Sequence, residues 1–164
     1  MTSNPGQPSA DNTNSLKMGE LVVASGNTAL RTLLGSCVGL ALFSKANSAG
    51  GLAHIVLPDS HGRSKLPGKY VDTAVPELIE RISQLDGSKQ KLYAKIAGGA
   101  NMLNQSSDFT IGDRVLEALR NCLSEFDIPI LGEHCGGNRG RRMLFWPPSG
   151  KVRIELVGGE SFEI

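Results

Sequence analysis

Three cysteines, Cys37, Cys122 and Cys135, carry the most reactive side chains of this 164-residue chain. A thiolate is a nucleophile and a metal ligand, whereas a buried thiol behaves as a small apolar side chain. The count is odd, and the cysteines lack the dense spacing of a secreted disulfide scaffold, so at least one thiol stays unpaired. The number of cysteines therefore leaves open which of the three thiols is the reactive one.

Cys37 lies in a segment that mixes small and apolar residues. The run LLGSCVG at residues 33–39 breaks an otherwise apolar strand pattern, and its glycines let another molecule approach the backbone closely. A second apolar run, GGLAHIVLP at residues 50–58, contains His54. If residues 45–49 form a turn, the two strands make a hairpin that brings the Cys37 thiol and the His54 imidazole together.

A cysteine paired with a histidine has a defined chemistry. The two groups can ionise near neutral pH as thiolate and imidazolium, which supplies a nucleophile and then a proton donor for the leaving group. This pair suits acyl-transfer hydrolysis. Without a nearby thiol, His54 would be interpreted as a core histidine with its hydrogen bonds satisfied.

The other two thiols have simpler interpretations. Cys122 falls on the apolar stripe of a predicted helix and is expected in the core. Cys135 follows His134 at the start of a glycine-rich, basic loop, which favours either a low-pKa or metal-binding thiol or an incidental loop thiol. No CxxC or HxxxH pair is present, so we predict no metal site. The three arginines within residues 137–142 either hold an anionic group or form a solvated basic turn, which is the commoner case.

Hydrophobic spacing predicts the secondary structure. Apolar residues at helical spacing predict helices over residues 70–85 and 110–126. Short apolar and β-branched segments predict strands at residues 21–24, 33–43, 51–57, 92–97, 128–133, 143–146 and 152–157.

Capping residues mark where the two helices begin. Asp72 or Thr73 would cap the first helix, which places Pro76 in the first turn, where a missing N–H matters least. Thr110 and Asp113 form a capping-box-like start for the second helix.

The order of these elements predicts an α+β fold. The helices fall between groups of strands without regular βαβ alternation, which favours a single layered domain of mixed or antiparallel sheets flanked by helices. Residues 1–16 are polar and contain no apolar cluster, so we expect a flexible tail there and one domain over residues 17–164.

Composition excludes several classes of protein. Seventeen basic and sixteen acidic residues give a net charge of +1, which argues against nucleic acid as a partner. No apolar run approaches the roughly 18 residues of a membrane helix, and the N-terminus lacks the order of a secretory signal. We therefore expect a cytoplasmic protein that does not insert into a membrane.

The two segments around Cys37 and His54 closely resemble the CheD family of bacterial chemotaxis proteins, which are receptor glutamine deamidases. The interval between the cysteine and the histidine is also similar to that of the family. The resemblance extends from about residue 18 to 157 and includes KYVD at 69–72, AGGANM at 97–102, IG at 111–112, IPI at 128–130 and GGNRGR at 136–141.

The resemblance implies roles for individual residues. Cys37 would be the nucleophile and His54 the general base and acid. Backbone N–H groups near Gly35 and Ser36 would stabilise the oxyanion.

The third catalytic residue of the family is a threonine a few positions before the cysteine. The family's threonine can stand six residues before the cysteine, where this chain has Arg31, whereas Thr32 stands five before it. A shift of one residue turns a strand side chain to the opposite face, so either a bulge restores the geometry or Thr32 is structural. Thr32 is the candidate, with Ser36 as an alternative hydroxyl.

The resemblance also implies a function and a fold. The chain would be a protein-glutamine glutaminase that converts glutamine side chains of methyl-accepting chemotaxis receptors to glutamate through a thioester, without metal or organic cofactor, and with receptor methylesterase activity as a secondary reaction. The alternative is a regulatory binding module for a CheC-type chemotaxis phosphatase. The implied fold of mixed sheets and flanking helices is similar to that of deamidating toxins with a Cys–His pair.

Overall fold

A computed structural model describes residues 13–46, 48–63, 65–87, 91–103 and 109–164. Two helices lie in these ranges, α1 (Val71–Asp86) and α2 (Ile111–Glu125), and a short 3₁₀ turn spans Pro67–Lys69. The strands are β1 (Thr13–Leu16), β2 (Leu21–Ala24), β3 (Ala29–Leu34), β4 (Val38–Ser44), β5 (Gly50–Ile55), β6 (Leu92–Gly98), β7 (Ile130–Cys135), β8 (Arg141–Trp146), β9 (Lys151–Leu156) and β10 (Ser161–Glu163).

The strands form two five-stranded sheets, which we call the outer and the central sheet. The outer sheet has the order β1-β3-β8-β9-β10, and the central sheet has the order β2-β5-β4-β6-β7. Strands β1 and β3 pair in parallel, as do β6 and β7, and the other neighbours are antiparallel. Two mixed sheets with two helices confirm the α+β prediction.

The central sheet is covered on both faces. Leu40 and Leu42 of β4 belong to the core beneath α1 and α2, whereas Ala41 and Phe43 belong to the core between the two sheets. Every residue of β4 and β5 is buried. A strand buried on both faces needs apolar side chains at every position, which explains the unbroken apolar runs in the sequence.

The predicted strand over residues 33–43 is two strands. β3 ends at Leu34 in the outer sheet, and β4 begins at Val38 in the central sheet. The Gly35–Cys37 turn carries the chain from one sheet to the other, so Cys37 lies where the two sheets meet.

The structure also differs from the prediction of a flexible tail at the start of the chain. Residues 13–16, which were expected in the flexible tail, form β1 and pair with β3 in register, with Leu16 beside Thr32. Leu16 is the apolar residue that anchors this strand in the core between the sheets. The remainder of the predicted tail, residues 1–12, lies outside the described residues.

The capping prediction is right for α2 and wrong for α1. Thr110 and Asp113 form a reciprocal capping box at the start of α2. At α1 the N-cap is Tyr70, which makes no side-chain capping bond, and Pro76 lies in the second turn. Asp72 instead accepts hydrogen bonds from the amide and hydroxyl of Ser60, which ties the preceding loop to the helix.

Neither helix of the described ranges is long and apolar enough to span a membrane.

Candidate active site

Strand register places Cys37 and His54 on one face of the central sheet. His54 of β5 pairs directly with Gly39 of β4, and Cys37 precedes Gly39 by two residues. Cys37 belongs to the turn just before β4 and packs in the core between the two sheets, toward which Gly39 also faces. The hairpin therefore places the thiol and the imidazole on the same side of the central sheet, while Nε2 of His54 makes no hydrogen bond among the described residues.

Gly39 leaves space for this pair beneath the outer sheet. A Cβ atom at Gly39 would lie 2.6 Å from the sulfur of Met143 and 3.0 Å from a methyl of Leu34. The two sheets approach each other closely at this point, and only a residue without a side chain fits opposite His54.

Thr32 of the outer sheet holds His54 across the gap between the sheets. The Thr32 Oγ1 lies 2.6 Å from Nδ1 of His54 and donates a hydrogen bond of 2.9 Å to the main-chain carbonyl of Leu16. A threonine hydroxyl has only one hydrogen, and it is committed to Leu16. His54 must therefore donate from Nδ1, which leaves the lone pair of the neutral imidazole on Nε2.

Inward orientation distinguishes Thr32 from Arg31. Thr32 is buried, whereas Arg31 is exposed and donates to the hydroxyl of Ser15. The pairings of β3 with β1 and β8 run without a register shift. Thr32 thus reaches His54 with no bulge, while Ser36 lies outside the strand, on the turn that carries Cys37.

Burial sets the protonation states of the pair at rest. It raises the pKa of the Cys37 thiol above its usual value. It lowers the pKa of the His54 imidazole, and the carboxylate of Glu20 opposes part of that change. Both shifts favour the neutral groups over the expected thiolate–imidazolium pair.

The turn between β1 and β2 closes one side of the site. Gly19 donates to the carbonyl of His54, whose own amide donates to the carbonyl of Glu20, both at 2.9 Å. The Met18 sulfur lies 4.0 Å from the Cys37 sulfur. The sequence pattern assigns no role to Met18 or Glu20, because nothing in it shows that β1 belongs to the outer sheet and β2 to the central sheet.

A second loop holds the backbone of the Gly35–Cys37 turn. The amides of Gly99 and Ala100 donate to the carbonyls of Cys37 and Gly35, at 2.9 and 3.0 Å. Among the described residues, no hydrogen bond uses the amide N–H of Ser36 or of Cys37. These two donors remain available to an acceptor at the site.

An open cavity of about 320 Å³ adjoins Ser36. It lies between the loop after β6 and the start of α2, and Met102, Phe109 and Arg114 contribute to its walls. Met102 and Leu103 are 51% and 77% exposed, so this rim of the site presents apolar surface.

The remaining cysteines lie in different surroundings. Cys122 is partly buried and packs against the core beneath the helices, as expected for a residue of the apolar stripe. Cys135 is the last residue of β7 rather than a loop residue, and burial raises its pKa to about 11. A low-pKa thiol at Cys135 is therefore wrong.

The prediction of a solvated basic turn is wrong for Arg141. Its side chain is 1% exposed and donates to main-chain carbonyls of the same loop. Arg142 is exposed and pairs with Glu155, and Arg139 binds the carbonyl of Val157. Within the described ranges, no cluster of three or more His, Cys, Asp or Glu side chains could hold a metal ion.

Comparison with known proteins finds matches to one family. The family model described as CheD chemotactic sensory transduction matches residues 56–156. A protein of Clostridium kluyveri named "Probable chemoreceptor glutamine deamidase CheD" is 48% identical over 130 residues, which cover 76% of this chain and 80% of that protein. A protein of the same name from Clostridium botulinum strain Hall is 46% identical over 136 residues, which cover 80% and 84% of the two chains.

The electrostatics of His54 can be measured directly. Because its folded-state pKa lies below the unfolded value of 6.5, His54 binds its proton more readily in the unfolded chain, so its contribution to stability is lost as the pH falls below about 6.5. Glu20→Gln removes the opposing carboxylate and should lower the pKa further. Titration of His54 by NMR measures both effects, with Glu117→Gln on the exposed face of α2 as a charge-matched control. A His54 pKa above 6.5, or equal shifts in the two variants, would contradict this assignment.

Proposed function

Because the chain belongs to the CheD family, we propose that it is a cytoplasmic hydrolase that converts glutamine side chains of chemoreceptors to glutamate. The observation that carries the proposal is the hydrogen bond from His54 to Thr32 beside Cys37. It supports the proposal because it orients an imidazole with its lone pair on Nε2 on the same side of the sheet as a thiol, and acyl transfer to a cysteine uses such a base.

In the first step the Cys37 sulfur attacks the carboxamide carbon of the glutamine. Nε2 of His54 takes the thiol proton as the S–C bond forms, because burial raises the pKa of the thiol and favours its neutral form. The amide N–H groups of Ser36 and Cys37, with Gly35 giving the turn its shape, donate to the oxygen that becomes negative. Thr32 holds the imidazolium that results.

In the second step the C–N bond breaks and the imidazolium gives its proton to the departing ammonia. The product is a thioester between Cys37 and the former glutamine. Water then attacks this thioester while the neutral His54 takes its proton, and the C–S bond breaks. The thiolate recovers a proton from the imidazolium, and the receptor carries a glutamate.

The reaction adds one negative charge to the receptor and creates a carboxylate that a methyltransferase can esterify. A methyl ester at the same position has the same acyl carbon, with methanol in place of ammonia as the leaving group. We therefore include receptor methylesterase activity as a secondary reaction of the same site.

Binding to a CheC-type phosphatase is a second role that we propose for the same face of the protein. The exposed side chains of Met18, Met102 and Leu103 give the site an apolar rim, and an apolar rim favours contact with a protein surface. The receptor and the phosphatase would then compete for this rim.

Substitution of the nucleophile tests the assignment of Cys37. Cys37→Ser replaces the thiol with a hydroxyl of much higher pKa and should reduce deamidation on the order of 10³-fold or more. The measurement is mass spectrometry of purified chemoreceptor peptides after incubation, in which each converted glutamine is read as glutamate. Cys122→Ser and Cys135→Ser are matched controls that should stay active. A Cys37→Ser protein as active as the wild type would refute the assignment of Cys37 as the nucleophile.

Substitution of Thr32 tests how the imidazole is held. Thr32→Val keeps the shape of the side chain but removes the acceptor for Nδ1–H, so kcat should fall about 100-fold while KM changes little. Thr32→Ser keeps the hydroxyl and should retain most of the activity. Equal losses in the two variants would show that packing, rather than the hydrogen bond, is what Thr32 supplies.

The binding role can be separated from catalysis. Cys37→Ala leaves the rim intact, so it should bind a CheC-type phosphatase as tightly as the wild type does. Met102→Asp places a charge on the rim and should weaken that binding about tenfold or more. Calorimetric titration of each variant with the purified phosphatase measures both affinities. If the wild type does not bind the phosphatase, the proposed binding role is wrong.

A further inference from the structure

Arg141 is a buried cation that the proposed chemistry does not use. Its side chain is 1% exposed, and it makes no ion pair with a carboxylate of the described residues. Burial of a charge is costly unless hydrogen bonds compensate it. The hydrogen-bond partners of its guanidinium therefore indicate which part of the structure the buried charge stabilises.

All of these partners belong to the chain segment just before Arg141. One terminal nitrogen, Nη1, donates to the carbonyl and to Nδ1 of His134, at 2.8 and 2.7 Å. The other, Nη2, donates to the carbonyls of Gly136 and of Arg139, the latter at 3.2 Å. The planar fork thus closes the loop over residues 136–140 onto the end of β7.

The loop needs such a clamp because of its own conformation. Gly136 and Gly137 have φ of +82° and +72°, in the left-handed region, and no regular strand pairing holds residues 136–140. Without the guanidinium, four acceptors of the loop and the end of β7 would lose this donor. The loop would then depend on the bonds of Gly136 and Gly137 to the end of β6 and the segment after it, and on those of Arg139 and Gly140 to Val157.

This loop supports the segment that lies behind the Cys37 turn. The amide of Asn101 donates to the carbonyl of Gly137 at 2.8 Å, and the amide of Gly136 donates to the carbonyl of Gly98 at 2.9 Å. Gly98 and Asn101 bracket the two residues whose amides bind the Gly35–Cys37 turn. The chain of contacts therefore runs from Arg141 through two loops to the nucleophile.

The main chain of Arg141 reaches the same turn from the other side. Arg141 pairs with Leu34 in the outer sheet, and Leu34 directly precedes the turn. A Cβ atom at Gly98 would also clash with the carbonyl of Cys37, so the supporting segment packs directly against the turn. A shift of residues 98–101 would therefore displace Cys37 as well.

We propose that Arg141 is a positioning residue for Cys37, which holds the Gly35–Cys37 turn in its reactive geometry through the loop over residues 136–140. The effect on deamidation rests on the proposed function, whereas the effect on the turn does not. Both terminal nitrogens of the guanidinium donate within the chain, and the buried Nε makes no hydrogen bond among the described residues, so Arg141 presents no exposed donor to an anionic substrate.

Arg141→Met tests the proposal, since it keeps much of the side-chain length and removes every donor. We expect kcat for receptor deamidation to fall about 10- to 100-fold with KM unchanged, as for a misplaced nucleophile. Alkylation of Cys37 by iodoacetamide should become several-fold faster at neutral pH, because a loosened turn exposes the thiol. Hydrogen exchange at the amides of Gly99 and Ala100 should also accelerate.

Two control variants separate positioning from loss of charge and from loss of stability. Arg142→Met removes a cation from the next position on the exposed face, and Phe145→Leu weakens the core of the same strand. Neither should change the alkylation rate of Cys37. If Arg141→Met behaves as these controls do in alkylation and exchange, the proposal is wrong.

The alkylation and exchange measurements decide the proposal even if the wild type proves not to deamidate receptors, a result that would refute only the proposed function. Should Arg141→Met fail to fold, Gly137→Ala strains the loop at an exposed position with φ of +72°. We expect it to change the same measurements in the same direction by a smaller factor. Faster exchange at Asn101 with an unchanged alkylation rate of Cys37 would overturn the proposal.

Discussion

The hydroxyl of Thr32 joins the three parts of the molecule on which the site depends. It donates to the carbonyl of Leu16 on β1 and accepts from His54 on β5, so it links two strands of the outer sheet to one strand of the central sheet. The single hydrogen of the hydroxyl imposes a direction on these bonds. A main-chain carbonyl at the edge of one sheet thereby determines which nitrogen of an imidazole in the other sheet is basic.

The proposed nucleophile lies where the chain changes sheets. The Gly35–Cys37 turn must leave the outer sheet after Leu34 and enter the central sheet at Val38, so its amides are released from both ladders. Amides released from a ladder can stabilise a developing negative charge, whereas amides within a ladder are already paired. The packing of two sheets therefore produces both the gap that holds His54 and the free donors beside Cys37.

Local pattern was sufficient to predict much of this arrangement. Short apolar and β-branched runs predicted the strands other than β1 and β10, although residues 33–43 were predicted as one strand, and apolar spacing with the capping box at Thr110 predicted α2. The hairpin of β4 and β5 followed from a short turn between two apolar runs. Each of these features depends on residues close in sequence.

Contacts between segments that are distant in sequence could not be predicted from local sequence patterns. β1 is polar at three of its four positions, and its pairing with β3 depends on Leu16 reaching the core between the sheets. Asp72 looked like a helix cap because carboxylates favour that position, yet Ser60 offers it two donors. Arg141 looked solvated because arginine is seldom buried, and its burial depends on carbonyls that only the folded loop turns toward it.

The pKa shifts of the three thiols do not by themselves identify the reactive cysteine. Burial raises the pKa of Cys37, of Cys122 and of Cys135, so acidity does not single out one of them. What distinguishes Cys37 is its place in the core between the two sheets, on the side where His54 bonds Thr32 and keeps an Nε2 that lacks a hydrogen-bond partner among the described residues. A neutral thiol beside a neutral base is a weak nucleophile toward small oxidants and electrophiles, since the thiolate is the reactive form. In the proposed reaction, proton transfer to His54 coincides with attack on an acyl carbon that the site has positioned, so Cys37 becomes strongly nucleophilic only in the presence of substrate.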